Sequence, residues 1–293
     1  SHLSAQKYVS VVESFCNTGK SGAAEVVPNL ANFADIADTS DLNELYIQYH
    51  VPADFVDWTD EYTHSVSSDQ WEFYQNLGLA DDLCNVLKNG AANAADEWYN
   101  CTPEDKYIYG LARKVTVLFE DYDPETKSVD TEVVLALPFS ESSEAYVHVL
   151  ALESGIEIET TGGEIPGTNF MLHNVARTAE VVPATSAGIQ TTLTLPEDAN
   201  PEQVKIVAFV QDHNTGEILG GTRGISLEPY INAPGETFAV VENFVNSGCY
   251  GGPPAINSMS AQVEIAENND ENHTLIQLHI GQTYGNWSDA YKL

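Results

Sequence analysis

The chain has 293 residues, a length that fits two domains, and its 43% apolar and 10% aromatic content can fill a packed core, which excludes general disorder. Forty-four acidic side chains against 11 basic ones leave a formal charge of −33 at pH 7. A surface that negative repels phosphate backbones and anionic lipid heads, so nucleic acid and membrane surfaces are not expected as partners.

In chain order, an apolar run at Val9–Phe15 predicts a buried strand, followed by a glycine-containing turn. A helix is expected over Ala23–Ala37 and a second strand over Glu44–Val51. Strand, crossover and strand make a βαβ unit, which requires parallel strands and a right-handed crossover. Ser68–Leu77, carrying Trp71, Phe73 and Tyr74, predicts another helix, and Asp81–Trp98 is helical in character. From about Lys114 the period changes to two. Strands are expected at Lys114–Asp121, Asp130–Leu137, Ala145–Leu152, Asn169–Val182, Ile189–Leu195, Val204–Val210 and Glu217–Leu227, the pattern of an Ig-like antiparallel β-sandwich. Glu228–Glu236, with Pro229, Pro234 and Gly235, reads as a linker. A strand (Phe238–Val245), a helix (Pro254–Ala266) and a strand (Thr274–Ile280) then repeat the opening pattern.

That repetition is also one of residues. Residues 9–64 align without gaps on 238–293, and 17 of the 56 pairs are identical. They include Val11/Val240, Val12/Val241, Glu13/Glu242, Phe15/Phe244, Gly19/Gly248, Gln48/Gln277, His50/His279, Trp58/Trp287 and Asp60/Asp289. The expected fold class is therefore α/β plus all-β, with βαβ units flanking a sandwich. The expected domains are 1–112, 113–228 and 229–293.

The run Val11-Val12-Glu13-Ser14-Phe15, with Gly19, His50-Val51, Trp58 and Asp60, resembles an uncharacterised secreted thioredoxin-like family. Its members read V-V-E-x-F-T-x-x-G-C-x-x-C-P-P-A, then a strand ending H-V, then W-x-D. They are related to Bacteroidetes outer-membrane lipoproteins that carry a trailing β-sandwich. The resemblance implies degenerate thioredoxin-like units, because Lys20 and Ala23 stand where the first copy would carry the two redox cysteines. Cys249 keeps the first of these in the second copy, whereas Gly252 replaces the other. Dithiol–disulfide exchange needs an attacking thiolate and a nearby resolving thiol. A thioredoxin fold also needs a β-hairpin after its βαβ half, and the sequence after Leu79 shows no evident one. Each copy is thus expected to be half a sheet with open edges, and two such halves invite one another, within a chain or between chains.

Four cysteines permit two disulfides, for which Cys84 with Cys101 and Cys16 with Cys249 are the candidate pairs, although spacing does not fix connectivity. Cys249 at a strand–helix turn also admits a reactive-thiol reading. Asn100-Cys101-Thr102, Asn272-His273-Thr274 and Asn286-Trp287-Ser288 are glycosylation sequons, and with the cysteines they point to secretion. His50 and His279 end corresponding strands, with Trp58/Trp287 and Asp60/Asp289 following in both copies. A His–Asp metal or catalytic pair is one reading; the other is that the histidine hydrogen-bonds the W-x-D loop and fixes its shape. Asp212-His213 reads as turn chemistry. Glu120–Glu125 and Glu267–Glu271 are oxygen-rich but lack EF-hand spacing, so they read as solvated turns, with calcium the alternative reading, and no cofactor is expected.

The expected function is that of a secreted, non-enzymatic, acidic structural subunit that self-associates as an oligomer or filament. Residues 238–293 would be donor and residues 8–65 acceptor. The alternatives are a thiol-disulfide oxidoreductase using Cys249 and an extracellular metal- or ligand-binding module.

Overall fold

A computed structural model describes residues 9–39, 44–92, 115–135, 139, 144–232, 239–245, 273–279, 283–284 and 287–288. The chain divides into two compact units, Ser1–Ile231 and Asn232–Leu293.

The first unit opens with β1 (Ser10–Cys16), α1 (Ala23–Thr39), β2 (Glu44–His50) and α2 (Ser65–Asn76). β1 and β2 are parallel, in register from Ser10↔Glu44 to Cys16↔His50. Alternation along the strands divides their side chains between two helices. Val12 and Tyr46 pack with Leu30, Ala34 and Ala37 of α1. Val11, Phe15, Ile47 and Tyr49 pack with Trp71 and Tyr74 of α2. The carboxyl end of α1 meets two of the chain's few cations: Arg223 donates to the Ala37 carbonyl at 2.6 Å, and Lys205 pairs with Asp38 at 2.6 Å. Both positive charges suit the negative end of the helix dipole.

After α2 comes a correction. The segment expected to be helical holds a hairpin, β3 (Asn85–Lys88) and β4 (Ala91–Ala92), with β3 antiparallel to β1. Its turn, Asn89-Gly90, has both residues at positive φ (52° and 76°), the conformation that Asn-Gly adopts most readily between two strands. That dipeptide outweighs the helical tendency of its alanine- and leucine-containing neighbours. Residues 93–98 of the expected helix lie outside the described residues.

The remaining strands are β5 (Val115–Asp123), β6 (Ser128–Leu135), β7 (Ala145–Glu153), β8 (Ile156–Glu159), β9 (Asn169–Leu172), β10 (Val175–Pro183), β11 (Gly188–Thr194), β12 (Val204–Asp212), β13 (Ile218–Gly221) and β14 (Ile225–Ser226). The single strand expected over Asn169–Val182 is two, because Asn174 takes a left-handed conformation (φ 56°) that breaks it. The expected linker begins as a short helix, α3 (Glu228–Asn232), whose Tyr230 stacks on Phe119.

Among the described residues one mixed sheet runs β13-β12-β7-β10-β2-β1-β3-β4, with β14 also on β12. β11-β6-β5 form a separate antiparallel sheet. Val129, Val133 and Leu193 of this sheet pack against Val147, Val149, Ile206 and Ala208 of the larger one, giving the all-β component its own core. The stretches expected as separate domains, 1–112 and 113–228, therefore share a sheet, joined where Val175 pairs with Gln48 and the Gln48 amide donates to the Asn174 carbonyl at 2.9 Å. This also overturns the expectation of open edges in the first βαβ unit. β1 is flanked by β2 and β3, and β2 by β1 and β10.

In the second unit β15 (Ala239–Val245) and β16 (His273–His279) are parallel, paired from Ala239↔His273 to Val245↔His279. Each pairing is the β1–β2 pairing displaced by 229 residues at both ends. A short hairpin, β17 (Thr283–Tyr284) and β18 (Trp287–Ser288), follows. Among the described residues no helix is long and apolar enough to cross a membrane.

Candidate functional site at the carboxyl ends of the parallel strands

Ligand sites in open sheets containing parallel strands form beyond the carboxyl ends of those strands. Here β1 and β2 end at Cys16 and His50, and three segments converge: residues 17–22, 51–64 and the turn joining β8 to β9. Asn17 donates to the Val51 carbonyl at 2.9 Å and accepts from the Gly19 amide at 2.9 Å. Asp60 is the hub. Its carboxylate accepts from the Thr18 amide (2.9 Å) and hydroxyl (2.7 Å), from the Tyr62 amide (3.1 Å) and from His50 Nδ1 (2.9 Å). Burial works against ionisation of Asp60, but the charge and hydrogen bond of His50 and the Thr18 donors outweigh it. They hold the carboxyl well below the usual carboxylate range. His50 is 1% exposed and Asp60 2%, so this pair ties β2 to the two loops from within and does not face solvent.

Above the pair, Gly19 lies against Trp58 and Phe55 so closely that a β-carbon there would overlap the Trp58 ring. The β8–β9 turn closes over the same place. The Glu164 amide donates to the Gly19 carbonyl at 2.7 Å, and the Gly163 amide donates to Asp57 at 3.2 Å. The Glu164 carboxylate accepts from the Ser21 amide at 2.9 Å, just before α1, and from Lys20 Nζ at 3.2 Å. The Ser21 amide, the Ser21 side chain and Lys20 lower its pKa. Lys20 also lies over the Phe55 ring, 5.4 Å from its centroid. The amino end of α1 thus holds a carboxylate of the same chain.

The cysteines differ from the expected pairing. Cys16 is bonded to Cys84, with Cα atoms 4.2 Å apart, so neither Cys84–Cys101 nor Cys16–Cys249 forms in this arrangement. The physical reason is the hairpin that sequence reasoning missed. Pairing of β3 with β1 brings the Cys84 amide to the Phe15 carbonyl at 2.6 Å and sets the two cysteines at one end of adjacent strands. Cys84 takes a left-handed conformation (φ 66°), and its side chain abuts Gly22. Cys16 is 3% exposed and Cys84 half-buried, so the Cys16 end of the bond sits behind the loop.

Other singled-out residues fall elsewhere. Cys101, Cys249, Asn100, Asn272, Asn286 and Asp289 lie outside the described residues, as does Glu267–Glu271. His279 ends β16 and Trp287 lies in β18. Asp123 turns its carboxylate onto its own loop, accepting from the Glu125 amide at 2.8 Å and the Thr126 hydroxyl at 2.8 Å. Asp212 likewise accepts from the Asn214 amide at 2.8 Å. Among the described residues no group of three or more His, Cys, Asp and Glu could hold a metal ion. A groove of about 410 Å³ lies on the outside of α1, between Asn32 and Asp35 and the β9 residues Asn169 and Met171. Sequence reasoning missed Glu164 and the role of Cys84. For Glu164 no local signal exists, since only the β8–β9 turn brings it to α1.

Comparison of the chain with family models, with curated proteins and with solved structures finds no match in any of the three.

Proposed function

We propose that this is an exported, non-catalytic protein, with a degenerate thioredoxin-like unit serving as a disulfide-braced scaffold in an extracellular assembly. The observation that carries the reading is the state of the α1 amino end. Lys20 and Ala23 stand where the resemblance would place the two redox cysteines, Glu164 covers the helix start, and Cys16, 3% exposed, is bonded to the half-buried Cys84. A dithiol enzyme needs the reverse, an accessible sulfur at the helix start whose thiolate the helix dipole stabilises. The β3–β4 hairpin beside β1 supports the thioredoxin-like reading, because that fold requires a hairpin after its βαβ half. The disulfide supports export, since such bonds persist in oxidising compartments.

The test is thiol titration of the native chain combined with an insulin-reduction assay. The expected result is that Cys16 and Cys84 resist mild reductant until the chain is unfolded, and that no reductase turnover occurs. Fast native reduction with catalytic turnover rejects the scaffold reading.

Self-association is the finer part of the proposal. What supports it is the second parallel pair, β15–β16, in the β1–β2 register. In the first unit such a pair is flanked by β3 and β10, so the second pair is suited to accept strands of that kind from a second copy. The acceptor assigned from sequence, residues 8–65, is already flanked, which makes residues 232–293 the element on which assembly depends. Light scattering across a concentration series should give a mass that grows with concentration. A monomer that persists at high concentration rejects this part alone.

A further inference from the structure

Tyr74 and its neighbour Phe73 dock α2 on the sheet through two unlike contacts. On one side lies Glu13 of β1, wholly buried. Its carboxyl group accepts from Tyr74 Oη and from Gln70 Nε2 (3.1 Å). Gln211 of β12 completes the network, donating to Tyr74 Oη at 2.7 Å and to the Gly216 carbonyl at 2.9 Å. The titratable groups facing Glu13 are Tyr49 of β2 and Tyr74 of α2; β3 presents Leu87 and β12 presents Gln211. Among the described residues every side chain bonded to this carboxyl is a neutral donor, so an ionised Glu13 has no counter-charge.

On the other side, Phe73 packs on the His213 ring with centroids 4.9 Å apart. His213 stacks on Tyr146 at 4.1 Å, and its Nε2 lies 3.0 Å from Nε2 of His148, itself buried and stacked on Phe209. A single proton fits between two imidazole nitrogens at that distance. The neutral pair therefore shares a hydrogen bond, and a doubly protonated pair repels. The charged groups acting on His213 are Asp212 and Glu144.

We propose that α2 is a proton-gated element, docked while Glu13 is protonated and the His148–His213 pair is neutral, and loosened when either condition fails. The ionisation behaviour agrees with the geometry. Burial lifts Glu13 to about 7, against the hydrogen bonds from Tyr74, Gln70 and Tyr49 that lower it. Burial takes His148 down to about 3, and burial also lowers His213. The two effects have opposite signs. Docked Glu13 keeps its proton above the ordinary value of 4.5, so its contribution is complete below 4.5 and is lost as pH rises through about 7. The docked histidines resist protonation below the ordinary value of 6.5, so their contribution is complete above 6.5 and is lost as pH falls. Docking is firmest between, and fails toward both acid and alkali.

Hydrogen exchange of the α2 amides in the full chain, corrected for the intrinsic pH dependence of exchange, tests this. Protection should be greatest near pH 5–6 and drop about threefold by pH 8.5 and more than about fivefold by pH 3.5. Glu13→Gln should abolish only the alkaline loss, and the double variant His148→Gln/His213→Gln only the acid loss. Protection that is flat with pH, or unchanged dependence in both variants, overturns the proposal. Carbon-13 NMR of the wild-type Glu13 carboxyl decides the alkaline arm even where a variant does not fold. A midpoint near 7 upholds it, and a midpoint near the ordinary glutamate value overturns it.

Discussion

Asp60 shows how one side chain can carry a loop. It accepts from the Thr18 amide and hydroxyl, the Tyr62 amide and the His50 imidazole. Asp60→Ala leaves those donors buried without an acceptor, so the chain should lose about 3–5 kcal/mol in denaturant unfolding, with the midpoint shifted and the slope unchanged. The pH signature follows from the depressed carboxyl: its contribution is present above the ordinary value of 3.8 and is lost as pH falls below it. The wild type should therefore lose this stability in acid, while Asp60→Ala shows a shallower acid limb. His50, Trp58 and Asp60 were all legible in the sequence because they recur at one spacing in both copies. Glu13 recurs too, as Glu242, yet an acidic residue inside an apolar run says nothing of its partners. Those are Gln70 and Tyr74, 57 and 61 residues away.

At the level of elements, β1 and β2 follow from their apolar runs because both of their faces are buried, and α1 and α2 from periodicity because each buries one face. The β3–β4 hairpin does not, since β3 is only four residues long and is specified by its turn more than by its pattern. Gly90 is held at φ 76°, where an added β-carbon would overlap the Gly216 carbonyl. Gly90→Ala should therefore destabilise by more than 1 kcal/mol and raise hydrogen exchange selectively over residues 85–92. The same hairpin delivers Cys84 to Cys16 across a sequence separation of 68. A chain-entropy estimate for a loop of that length gives about 4 kcal/mol. The double variant Cys16→Ala/Cys84→Ala should lose stability of that order, read as a lower melting temperature that reductant no longer affects.

Taken whole, the first unit is held by contacts that join the βαβ part to the later strands. Arg177 of β10 is 2% exposed, bonds Glu153 of β7, Asp198 and His64 at the start of α2, and lies 5.1 Å from the Tyr62 ring centroid. Arg177→Met leaves Glu153 buried without its cation and should cost about 3–5 kcal/mol, measured by equilibrium unfolding. Such contacts were invisible in sequence, because a break in chemical period near residue 114 looks like a domain boundary whether or not the sheet continues across it. The charge, by contrast, was plain from composition. At −33 the native chain repels itself, so raising salt from about 0.01 to 0.5 M should increase the melting temperature. A melting temperature indifferent to salt would mean that the charges are already compensated.

The matched register of β1–β2 and β15–β16 has a kinetic consequence. A refolding molecule carries two ribbons of nearly the same hydrophobic lettering, each a plausible tenant for the berth between β3 and β10. Occupancy by the wrong tenant is a trap that must reopen before the native arrangement forms. Only where the copies have diverged, as at Tyr49 against Leu278 and Cys16 against Val245, does the rightful ribbon hold an advantage.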